Sequence, residues 1–86
     1  MKHYLLVTMR TSSFNKMFIQ PHYEYLNKLK ESNQLEAYGP FSDGKGGAYL
    51  IKSNSLEEAI EIGQSDPLVK SGSSTVMVKE WHLKEV

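Results

Sequence analysis

Alternation of apolar and polar positions divides the chain into strands and helices before any other property is weighed. Tyr4 to Met9 is rich in β-branched and aromatic residues and ends at the polar run Arg10-Thr11-Ser12-Ser13, which predicts a first strand. In it Leu5, Val7 and Met9 point one way and Tyr4, Leu6 and Thr8 the other, so both faces carry apolar weight. From Pro21 to Asn33 the spacing becomes helical, with His22, Tyr25, Leu26 and Leu29 on one stripe. Pro21 suits the opening turn, and Phe14, Met17 and Phe18 are placed for a kinked extension upstream.

Leu35 to Phe41 and Gly47 to Lys52 read as two strands of a hairpin across Ser42-Asp43-Gly44-Lys45-Gly46. Ser55-Leu56-Glu57-Glu58 has the form of a capping box, and it opens a second helix to Gln64 whose inward stripe is Leu56, Ala59, Ile60 and Gly63. Asp66-Pro67 starts a further helical turn through Lys70, and Thr75 to Leu83 alternates as a last strand.

The resulting order is βαββαβ, an α+β plan of ferredoxin-like type: a four-stranded antiparallel sheet with two helices on one face. Residues 1–86 are expected to form one domain. The opposite sheet face is apolar too, so a homodimer packing sheet against sheet is expected, giving a dimeric α+β barrel. Composition strengthens that expectation. A chain of 86 residues has a marginal core of its own, and with no cysteine it has neither disulfides nor thiolate metal sites to support it.

Ten Lys plus Arg balance ten Asp plus Glu, so no summed field draws the chain to nucleic acid or to an anionic membrane. No apolar run is long enough to span a bilayer, and no signal-peptide pattern follows Met1, so a cytoplasmic location is expected. His3, His22 and His82 have no metal-ligand spacing, and Gly44-Lys45-Gly46-Gly47 lacks the spacing of a phosphate loop and precedes a strand. Neither a metal nor another cofactor is expected.

Three side chains bear chemistry. His22 lies in the first turn of a helix on its inward stripe, a position that suits either a core-edge histidine or a general acid or base, since imidazole titrates near neutral pH. Asp66 precedes Pro67 as a helix cap does. Arg10, the sole arginine, follows the first strand, where it is either a solvated charge or a bidentate grip for a carboxylate or phosphate.

Tyr4-Leu5-Leu6, His22-xx-Tyr25-Leu26, Tyr38-Gly39-Pro40-Phe41-Ser42-Asp43, Gly46-Gly47, Ser55-Leu56-Glu57-Glu58-Ala59 and Asp66-Pro67-Leu68-Val69-Lys70-Ser71-Gly72 together resemble the YciI-like (YCII-related) family in order and spacing. The resemblance spans nearly the whole chain. It implies a dimeric α+β barrel with a small pocket where a histidine and an aspartate meet as the active site, here His22 and Asp66, within hydrogen-bonding reach or one water apart at the pocket mouth. Gly39, Pro40, Phe41 and Ser42 would line that pocket. Many members carry a basic residue just before the histidine, whereas this chain has Ile19-Gln20-Pro21, leaving Arg10 as the substitute anion contact. The reaction implied is proton transfer on a small organic molecule, an isomerisation, elimination or lactone-type hydrolysis, with Asp66 orienting His22. The alternative is a non-catalytic small-molecule-binding or accessory dimer, with Trp81, Tyr38 and Tyr49 as stacking surface.

Overall fold

A computed structural model describes residues 1–86. Strand β1 spans Lys2–Arg10, β2 Leu35–Pro40, β3 Gly46–Ser53 and β4 Ser74–Glu80, in one antiparallel sheet ordered β2-β3-β1-β4. Helix α1 covers Ile19–Glu31, α2 Leu56–Ser65, and a short α3 Pro67–Lys70. The order is the ferredoxin-like one expected, with the first and third strands central. No helix is long and apolar enough to cross a membrane.

Register assigns the faces. Tyr4 pairs with Ile51 and Leu6 with Tyr49 across β1 and β3, and these four side chains are buried beneath the helices with Leu26, Leu29 and Ala59. Val76 and Val78 of β4 and Ile62 of α2 pack partly buried against them. At about 25 cal/mol per Å² this apolar cluster is the main stabilising term of the layer. On the other face Leu5, Val7 and Leu50 are half-buried, while Met9 and Met77 are exposed.

Several boundaries move from their expected places for identifiable reasons. A 3₁₀ turn at Lys16–Phe18, capped by the Asn15 side chain accepting from the Met17 N–H at 3.0 Å, leads into α1 at Ile19. Pro21 therefore stands third in the helix, where its missing N–H still has no partner to lose. The helix stops at Glu31 because Asn33 turns left-handed at φ 64°, folding the Gln34 N–H back onto the Leu29 carbonyl at 2.9 Å.

In α2 the Ser55 hydroxyl accepts from the Glu58 N–H at 3.1 Å, but the second half of the expected capping box is diverted. The Glu58 carboxylate takes the Ser53 hydroxyl at 2.7 Å instead. Leu56 and Ile60, expected to face inward, are exposed, and the buried positions are Ala59 and Gly63. Small residues let the helix settle closely: a Cβ on Gly63 would lie 3.2 Å from Leu6 Cδ2. Strand β4 ends at Glu80, not Leu83. The Trp81 N–H makes one more bond, to the His3 carbonyl at 2.8 Å, and the Leu83 N–H then folds back onto the Trp81 carbonyl at 3.0 Å, which takes the chain off the ladder while Lys2 of β1 stays paired with β3 alone.

Candidate functional site

His22 and Asp66 arrive from opposite directions. The inward roll of α1, fixed by Leu26 and Leu29, turns His22 toward the end of α2, and Asp66 sits in the one-residue link between α2 and α3. Nδ1 of His22 lies 2.9 Å from Oδ1 and 2.8 Å from Oδ2 of Asp66. The aspartate is fully buried, and the histidine side chain keeps 13% of its surface exposed.

The carboxylate is saturated with donors. Oδ1 accepts the Leu68 N–H at 2.9 Å, capping α3, and Oδ2 accepts the Tyr49 hydroxyl at 3.0 Å. The helix-cap role and the histidine-partner role, alternatives on the sequence, thus coexist on one side chain. Because a carboxylate surrounded by donors only accepts, Nδ1 carries the hydrogen, and Nε2 is left without a protein partner. Tyr25 completes the layer by donating to the Ile62 carbonyl at 2.7 Å.

Electrostatics follow from burial around this carboxylate. Desolvation, then the Asp66 charge, its hydrogen bond and lastly Tyr25 push the Tyr49 phenol far above its ordinary value of 10.0. Tyr25 is raised as well, by burial first and the Asp66 charge second, with Ser65 pulling slightly the other way. Both phenols stay donors at neutral pH.

His22 opens onto a pocket of about 110 Å³ at the end of the sheet where β1 and the β2–β3 hairpin converge. Arg10, Gly39 and Pro40 line it, together with Thr8, Tyr23, Tyr38 and Tyr49. Asp66 does not touch the pocket; it stands one layer behind His22. Phe41 and Ser42, expected in the wall, are not among its lining residues. β2 ends at Pro40, and the Phe41 N–H bonds the Gly46 carbonyl at 2.8 Å, turning both residues into the exposed hairpin loop. Trp81 lies outside as well.

Gly46 makes the close approach possible, since a Cβ there would collide with the Thr8 carbonyl, and the hairpin would be pushed off β1. Sequence reading missed Tyr49 as a partner of Asp66. Its alternation places it on the helix-covered face, but its target is set by a segment that returns seventeen residues later.

Comparison with known proteins gives consistent findings. Residues 1–82 match the family model described as the YCII-related domain. An uncharacterized protein of Bacillus subtilis strain 168, YjpA, is 55% identical over 82 residues, covering 95% of this chain and 96% of that one. Among solved structures, the 5-chloro-2-hydroxyhydroquinone dehydrochlorinase of Burkholderia phenoliruptrix AC1100, in complex with 2,5-dihydroxybenzoquinone, superposes with a TM-score of 0.71 over 92% of both chains at 18% identity. At that identity the likeness is one of fold.

Proposed function

The chain belongs to the YCII-related domain family, and from that premise and the seating of His22 on Asp66 we propose that it is a small acid–base enzyme acting on a small organic molecule. The observation that carries the reading is the saturated carboxylate behind a pocket-lining imidazole whose Nε2 is free. Asp66 and Tyr49 are positioning residues: they hold the Nδ1–H tautomer and the ring plane, so that Nε2 takes a proton from substrate and returns it. Asp66 also stabilises the imidazolium formed between those steps.

No serine, threonine or lysine reaches His22 as a nucleophile would, so proton transfer in an isomerisation or elimination fits better than covalent catalysis. The fold neighbour's own reaction, a dehydrochlorination, is an elimination of this kind. The working unit in this reading is a cytoplasmic homodimer joined through the sheet face that the helices leave bare.

The test is solvent-deuterium exchange into a panel of small enolisable carbonyl compounds, followed by NMR for the parent protein and for His22→Gln. Exchange catalysed by the parent and lost in a folded His22→Gln protein supports the reading. Exchange that survives the substitution, or ligands that bind without any exchange, would replace the enzyme with a binding module.

A further inference from the structure

We infer that the His22 pocket selects a planar monocarboxylate whose carboxylate is held by Arg10; this deepens the acid–base reading above and rests on it for the role of His22. Arg10 is the last residue of β1, and alternation places it on the same, helix-covered side as Thr8. It pairs in register with Ser74, and all three residues line the pocket. Its guanidinium lies over the Phe14 ring, 4.0 Å from the centroid. That cation–π contact holds the cation at the pocket wall without using its N–H groups.

No acidic side chain pairs with Arg10, and the guanidinium makes no hydrogen bond to protein. None of the sixteen lining residues is acidic, and Arg10 is their one permanent charge. A cation with its donor fork free, at the wall of a pocket without acids, is matched by a carboxylate bound bidentately.

The remaining wall argues for a flat ligand. Phe14, Tyr23, Tyr38 and Tyr49 present rings to the same space, with Tyr23 6.2 Å from Tyr38 and 5.2 Å from His22, centroid to centroid. Tyr23 and Tyr38 are 40% and 55% exposed, so two amphipathic rings flank the opening. A tetrahedral dianion such as phosphate has no plane to stack, and one arginine leaves half of its charge unmatched.

The experiment uses benzoate as a planar carboxylate, benzamide as its neutral isostere and inorganic phosphate as the rival anion. Binding is followed by amide NMR shifts in the full chain for the parent, Arg10→Met, Arg10→Lys and His22→Gln. Benzoate is expected to shift Thr8, Gly39 and Gly47 and to bind roughly tenfold or more tightly than benzamide. Arg10→Met should remove that preference by weakening benzoate far more than benzamide, and Arg10→Lys should restore part of it.

Equal binding of benzoate and benzamide, no saturable benzoate binding, benzoate binding untouched in Arg10→Met, or phosphate displacing benzoate at lower concentration would each overturn the inference. His22→Gln separates the two proposals. Benzoate selectivity that persists in that variant while its deuterium exchange equals the parent's leaves the Arg10 site standing and removes the acid–base reading.

Discussion

The Tyr49 hydroxyl donates at 3.0 Å to Oδ2 of Asp66, the same oxygen that lies 2.8 Å from His22 Nδ1. A central strand and the helix α1 thereby share one buried carboxylate, and the orientation of the imidazole is tied to the sheet.

That tie gives the protein an alkaline signature. The Tyr49 pKa is raised above 10.0 in the folded state, chiefly by burial, so its proton is held where the unfolded chain would release it. Its contribution to stability is present in full below pH 10 and declines as pH rises above it, because the unfolded state then binds fewer protons. Tyr49→Phe should cost about 1 kcal/mol at neutral pH. The gap between parent and Tyr49→Phe should narrow in urea unfolding carried from about pH 8 to pH 11. A gap that stays constant across this range would mean that Tyr49 titrates normally and that the hydrogen bond is weak.

Asp66 serves three donors, His22 Nδ1–H, the Leu68 N–H and the Tyr49 hydroxyl, and asparagine offers a single acceptor oxygen. Asp66→Asn should therefore cost about 1–3 kcal/mol of stability, through a buried donor left unmatched. It should also slow any His22-dependent exchange about a hundredfold or more, since the tautomer is no longer held. The check is a double-mutant cycle with His22→Gln. A coupling of about 0.5–3 kcal/mol is expected in denaturation, and strict additivity would show two independent residues.

The path from sequence to site was uneven. His22 was legible because Leu26 and Leu29 fix the roll of α1, and the histidine shares their stripe. Asp66 was legible as a cap because Asp-Pro is a local signal, whereas its bond to His22 rests on two segments 44 positions apart and came from the family pattern. Tyr49 carried no signal beyond strand alternation.

Leu56 and Ile60 misled by spacing. The second helix turns its small residues, Ala59 and Gly63, to the sheet because only they permit the close approach. Trp81 and Leu83 continue the alternation of β4 past its last paired residue, because the Leu83 N–H turns back onto the Trp81 carbonyl instead of crossing to β1, and pairing rather than pattern ends a strand.

Tyr4 is fully buried, yet its hydroxyl has no hydrogen-bond partner in the protein. An unmet buried hydroxyl costs about 1–3 kcal/mol, while its ring supplies much of the local packing. Tyr4→Phe should accordingly keep the fold and raise stability, by up to about 1–2 kcal/mol in thermal or urea unfolding. A loss of comparable size would reveal a bound water or a moved partner satisfying the hydroxyl in solution.

The bare sheet face supplies the last prediction. Val7 stands opposite Ala48 on one side and Met77 on the other, and Leu5 opposite Leu50, so apolar side chains run across three strands on the side that carries no helix. Met9 and Met77 are 46% and 50% exposed there, and methionine adapts well to an interface. The charged cluster of His3, Glu36 and Lys52 borders the patch rather than interrupting it, with contacts of 3.4 and 3.7 Å. Light scattering at micromolar concentration should give twice the 9.8 kDa chain mass.

Met77→Lys combined with Val7→Lys should yield folded monomers, because both side chains lie outside the buried cluster beneath the helices. The same substitutions should abolish the concentration dependence of Tm that a dimer shows by mass action. A parent protein that scatters as a monomer would sink the sheet-to-sheet dimer. A dimer that survives both lysines would move the interface to another surface, because two buried ammonium groups from each chain cannot be accommodated unpaired in an apolar contact.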